Sequence, residues 1–127
     1  MKESAAIIAR IGMVNYLNMA PIHEKWKSTV TAENWQLVEA SPAALNKKLA
    51  EGHIDMGFVS SFEYGRHSER YKILSGLSIS ANGPVGSVFL FSHVPMNQLD
   101  QAPVLFSAQS ETSAALVKII LEKFHNV

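Results

Sequence analysis

Three short apolar segments, residues 7–14, 35–40 and 54–59, are each followed within a few residues by a helix-start signal. That alternation constrains the fold more than any other feature of the chain. The signals are Asn18 with Pro21, then Ser41-Pro42, then Ser60-Ser61. Short hydroxyl and amide side chains accept hydrogen bonds from the free N–H groups of a first helical turn, and proline fits there because it lacks an N–H to leave unbonded. Strands that alternate with helices predict a mostly parallel α/β sheet. The spacing predicts a helix from Pro21 that carries Trp26. A second, AALNKKLAEG, turns Leu45 and Leu49 to the core and is stopped by Gly52. A short helix is predicted over residues 62–69. Strands are predicted over 71–79 and 85–92, split by the turn Ala81-Asn82-Gly83-Pro84, and again over 103–107. An amphipathic helix over 110–124 sets Leu116, Ile119, Ile120 and Leu121 on its apolar side. On pattern alone, residues 86–94 fit a crossover between two lobes and a long central strand equally well.

Composition removes several function classes. Eleven basic residues balance eleven acidic ones, and no basic stripe is present, which argues against nucleic acid as a partner. The chain has no cysteine, so disulfides, thiol catalysis and cysteine-based zinc sites are excluded. The five histidines are scattered, without the spacing of a metal site, and are expected at the surface or in loops. No phosphate-binding Gly-x-x-x-x-Gly-Lys pattern occurs. The start, MKESAAIIARIG, is too short in apolar residues for a secretory signal, and no run approaches a membrane span. A cytoplasmic protein without a membrane partner is expected.

The polar residues that follow the predicted strands are hydroxyls and amides rather than charges. They are Asn15 and Asn18, then Ser60 and Ser61, with Ser87 beside the Gly83-Pro84 turn, and Ser107, Gln109, Ser110, Thr112 and Ser113 at the last helix start. In open α/β sheets ligands bind at the carboxyl ends of the strands. Neutral donors beside a helix N-terminus suit an anionic, oxygen-rich small molecule. Each residue also has a plain structural alternative. Asn18 fits as a cap for the helix at Pro21, Ser60-Ser61 as a cap for the helix at Phe62, and Ser110 to Ser113 as a capping box. Asp55, inside an apolar strand, is expected to be structural. Glu24, Glu51, Glu63 and Glu69 fall outside the strand-end loops, so the residues offer a carboxylate-friendly pocket without a general base.

Four blocks, RIGMVNYLNMAPI, SPAALNKKLAEGHIDMGFVSSFEY, LSISANGPVGSVFLFS and SETSAALVKIIL, resemble successive motifs of the menaquinone-biosynthesis family that includes chorismate dehydratase. The resemblance runs from Arg10 to Leu121. It implies a two-lobed fold like the type II periplasmic solute-binding proteins, in members about twice as long as this chain. Residues 1–92 would then form the first lobe, and 93–127 the crossover and the start of the second. The implied reaction is loss of water from chorismate to give 3-[(1-carboxyvinyl)oxy]benzoate, with no cofactor. By the resemblance, Asn18 and Ser87 would be the catalytic polar pair, and Ser60, Ser61, Ser110, Thr112 and Ser113 would bind substrate carboxylates. The base would come from outside this chain or be the substrate's own enolpyruvyl carboxylate. The sister 1,4-dihydroxy-6-naphthoate synthase carries a Ser-Pro-Cys-Pro-Asn-Asp-like segment where this chain has Tyr16-Leu17-Asn18, which favours the dehydratase. A non-enzymatic solute receptor of the same fold is the other alternative. An apolar face at Leu116 to Leu121 with nothing to cover it is expected to drive self-association, as in a homodimer.

Overall fold

A computed structural model describes residues 6–31 and 33–126, so the reading of residues 1–5 lies outside the described residues. Strands β1 (Ala9–Met13), β2 (Trp35–Glu39) and β3 (Met56–Gly57) form a parallel sheet in the order β2-β1-β3. Ala9 pairs with Trp35 and Met13 with Glu39 on one side of β1, and Gly12 pairs with Gly57 on the other. As the central strand, β1 is covered on both faces, and Ile11, Gly12 and Met13 are all buried. The expected parallel α/β arrangement is present in this part of the chain.

Helix α1 (Ala20–Thr29) follows a single 3₁₀ turn at Leu17–Met19. It returns the chain over the sheet and stacks Trp26 against Trp35 of β2, ring centroids 5.5 Å apart. Helix α2 (Pro42–Ala50) begins as its sequence predicts. Ser41 Oγ accepts from the Ala44 N–H at 3.4 Å, and Pro42 occupies the first turn. It ends as predicted too. Gly52 takes φ +72°, the Gly52 N–H donates to Leu49 O at 3.1 Å, and the His53 N–H donates to Lys48 O at 2.7 Å. That is the paired Schellman ending, which needs a left-handed residue that glycine adopts without a Cβ penalty. Helix α3 (Ser61–Arg66) follows β3.

The core is Met13, Val14, Met19, Leu45 and Ile54, with Ile22, Leu37, Leu49 and Phe58 against it. Two glycines in register leave room beside the sheet for Ile54 and, at Gly12, for Leu45 of α2. A Cβ on Gly12 would lie 2.5 Å from Ile54 Cδ1 and 3.0 Å from Leu45 Cδ2. One on Gly57 would lie 3.0 Å from the Gly12 carbonyl oxygen. At the opposite end of the sheet, Asp55 accepts from the Arg10 N–H at 2.7 Å and from the guanidinium at 2.9 Å through each carboxylate oxygen. Asp55 is structural, as its place in the sequence predicts. These hydrogen bonds hold its carboxyl at about 2, well below the usual carboxylate range.

The predicted strands over 71–79, 85–92 and 103–107 do not form among the described residues. A strand needs a partner ladder, and β3, the free edge nearest in sequence, offers two residues. The apolar side chains chosen as strand signals therefore stay exposed, Leu105 at 93% and Phe91 at 88%. Beyond them helix α4 (Glu111–Ile119) runs into a π-helical turn at Ile120–His125. Leu116 and Ile119 are exposed as expected, but Leu121 is buried. No helix among the described residues is long and apolar enough to cross a membrane.

Candidate functional site

The carboxyl ends of all three strands lie on one side of the sheet, because parallel strands point the same way. The segments that leave this side are 14–19, 40–41 and 58–61. Asn18 sits in the 3₁₀ turn, exposed. It does not cap α1: the cap position falls to Met19, which offers no side-chain hydrogen bond. The capping alternative for Asn18 does not hold for α1, and no hydrogen bond among the described residues engages its amide. Beside it, Val14, Asn15, Tyr16, Met19 and His23 line a hollow of ≈ 240 Å³. His23, expected at the surface or in a loop, is half-buried on α1. Its Nε2 is enclosed without a hydrogen bond among the described residues, 3.9 Å from Glu39 Oε1.

Ser60 and the start of α4 meet through a residue that strand-end reasoning overlooks. Asn46, on α2, is 2% exposed. Its Oδ1 accepts from the Ser60 N–H at 3.1 Å, and its Nδ2 donates to Ser60 Oγ and to Glu111 Oε2, each at 3.0 Å. The amide orientation is fixed by its partners. A backbone N–H can only donate and a carboxylate can only accept, so oxygen must face the first and nitrogen the second. One side chain thus joins α2, the turn after β3 and the first residue of α4. The sequence did carry a signal. Pro42, Leu45, Asn46 and Leu49 follow i, i+3, i+4, i+7 spacing, so an amide occupies a slot where the helix faces the core.

Around this link the hydroxyls divide by role. Ser60 Oγ also accepts from the Glu63 N–H at 3.1 Å and so caps α3. Ser61 is exposed as the first residue of α3. Ser110 caps α4 by accepting from the Ser113 N–H at 3.3 Å, and its own proton goes to Ser113 Oγ at 2.8 Å. The Thr112 hydroxyl is buried with no partner among the described residues. Glu63, which falls outside the strand-end loops by sequence, is buried directly behind Ser60. It accepts from the Tyr71 hydroxyl at 2.7 Å, and burial together with that bond pushes the phenol above its ordinary value. Glu111 adds a negative charge at the α4 start, where the Asn46 amide and the helix dipole offset it. The structure thus ties Ser60 to Glu111, the first residue of α4, by way of Asn46. Ser87 is exposed in the unpaired stretch, and no hydrogen bond among the described residues ties it to this group.

Residues 9–127 fit the profile of a family described as menaquinone biosynthesis, and the chain is a member of that family. Among its curated relatives is a chorismate dehydratase of Thermus thermophilus, 33% identical over 113 residues, a match that covers 89% of this chain and 40% of the relative. The chain therefore spans less than half the length of that relative.

Proposed function

We propose that this chain is the substrate-binding first part of a chorismate dehydratase, a hydro-lyase that acts in the cytoplasm in menaquinone biosynthesis. Membership of the menaquinone-biosynthesis family, with a relative of that name, is the observation that carries the reading. The character of the site supports it. In the proposed reaction a ring proton and the hydroxyl on the adjacent carbon leave together as water, and the ring becomes aromatic. The site must bind two carboxylates and stabilise charge that develops during proton loss. Ser60, Ser61, Thr112 and Ser113 supply neutral donors for the carboxylates, with Ser110 holding the helix start in place. Asn18 donates to the departing hydroxyl, and Ser87 completes the pair once residues 71–95 pack against the rest of a binding-protein-like cleft. The nearby carboxylates Glu63 and Glu111 are already engaged by Tyr71 and Asn46. The substrate's enolpyruvyl carboxylate then takes the ring proton, and the C–H electron pair forms the new ring double bond as the C–O bond breaks. The proton passes on to the departing hydroxyl, which leaves as water.

Incubation of the protein, extended to the length of its relative, with chorismate tests this. An aromatic product with the absorbance of a substituted benzoate is the expected result. Binding without turnover would indicate a solute receptor. Inertness toward chorismate alongside turnover of a cyclic futalosine derivative would indicate the sister synthase. Either outcome overturns the proposal.

A further inference from the structure

We infer that Asn46 is a positioning residue that makes the Ser60 hydroxyl a one-way donor and so selects for a carboxylate. The inference rests on the reading of Ser60 as a substrate ligand. A serine oxygen has two lone pairs and one proton. At Ser60 both lone pairs are taken, one by Asn46 Nδ2 at 3.0 Å and one by the Glu63 N–H at 3.1 Å. Among the described residues its proton meets no acceptor. The hydroxyl can therefore offer a hydrogen bond but cannot receive a further one. A carboxylate oxygen, which only accepts, is satisfied by it. A neutral ligand that presents an N–H or O–H is not. Asn46 enforces this because all its own groups are committed: both Nδ2 protons go to Ser60 Oγ and Glu111, and Oδ1 takes the Ser60 N–H. It cannot turn over without setting donor against donor at the Ser60 N–H and acceptor against acceptor at Glu111.

The substitution that isolates this effect is Asn46→Asp. The new carboxylate still accepts from the Ser60 N–H, but it has no proton to give to Ser60 Oγ. The serine proton then turns inward to the new acceptor and is lost to the ligand. The same change sets two carboxylates against each other at Glu111, so N46D is also made with Glu111→Gln. The glutamine amide donates back and restores that contact with its direction reversed. N46D/E111Q is expected to unfold at the wild-type denaturant concentration within error, yet bind chorismate about 10- to 150-fold more weakly, the fold-change for one hydrogen bond to a charged group. E111Q alone is expected to keep binding. Adding Ser60→Ala to N46D/E111Q should weaken binding no further, since the hydroxyl it removes has already turned away.

Chorismate binding by calorimetry and amide hydrogen exchange read separate parts of this. If N46D/E111Q binds as wild type does, or if S60A adds its full loss on top of it, the positioning role is refuted. If the wild-type protein, extended to the length of its relative, binds no chorismate, the functional reading fails. Exchange then decides on Asn46 alone: Asn46→Ala should speed exchange of the Ser60 and Glu63 amides by more than tenfold, and unchanged protection would overturn the inference.

Discussion

Replacement of Gly12 by alanine tests how closely Ile54 and Leu45 pack on β1. The added methyl would stand 2.5 Å from Ile54 Cδ1, 3.0 Å from Leu45 Cδ2 and 3.6 Å from the Met56 carbonyl oxygen. Carbon atoms pack best at about 3.5–4.0 Å, so the closest contact must open by about 1 Å. Ile54 is 2% exposed and Leu45 fully enclosed, which leaves neither side chain an easy escape. Overpacking of this kind costs ~1–3 kcal/mol. Ile54→Val removes the clashing Cδ1 itself and alone costs ~0.5–1.5 kcal/mol. If the two costs were independent, G12A/I54V would lose ~1.5–4.5 kcal/mol. Because the valine vacates the space the methyl needs, the double variant should be about 1 kcal/mol or more better than that sum. Urea unfolding, followed through the fluorescence of Trp26 and Trp35, measures all four members of the cycle. Additivity within ~0.5 kcal/mol would refute the close approach of Ile54 to Gly12 of β1.

Three further predictions concern single groups. Asn18→Ala in a form of the relative's length should lower turnover by ~10²–10³ while stability stays within ~0.5 kcal/mol, because Asn18 is exposed and caps nothing. An Asn18→Ala variant with full activity would remove Asn18 from the site. Thr112→Val should weaken chorismate binding by about 10-fold or more, yet leave the unfolding midpoint unchanged or raised, since it removes a buried hydroxyl that has no partner among the described residues. Loss of stability with intact binding would make Thr112 structural. Asp55 has its folded value depressed from 3.8 to about 2, so its pairing with Arg10 stabilises the fold above 3.8 and is lost as the pH falls toward 2. Asp55→Asn should flatten the acid limb of the unfolding curve in that window, and an unchanged limb would contradict the pairing.

Local signals in the sequence translated well where their chemistry is local. Ser41-Pro42 starts α2 and Gly52 ends it because cap geometry depends on a few neighbouring residues. The strands over 71–79, 85–92 and 103–107 were illegible for the opposite reason. Their apolar residues meet the propensity for a strand, but a ladder requires a partner, and none of the described strands supplies one. Strand ends located Asn18, Ser60 and Ser61 correctly at the carboxyl side of the sheet. The link between Ser60 and Glu111 escaped that logic because Asn46 sits mid-helix, where polar residues are usually taken for a solvated face. Asn18 shows the limit of residue type as a guide. Asparagine next to a helix start reads as a cap, yet the 3₁₀ turn at Leu17–Met19 moves the cap position one residue on.

On the proposed reading, the carboxyl end of the sheet and the start of α4 form one carboxylate site. Chorismate titrated into isotope-labelled protein, with backbone amide shifts followed by nuclear magnetic resonance, tests it most directly. Saturable shifts are expected at Asn15 to Asn18, Ser60 to Glu63 and Glu111 to Ser113, with one affinity shared among the three groups. Shifts confined to the separate hollow lined by Leu99, Val104, Phe106 and Lys118 would contradict it.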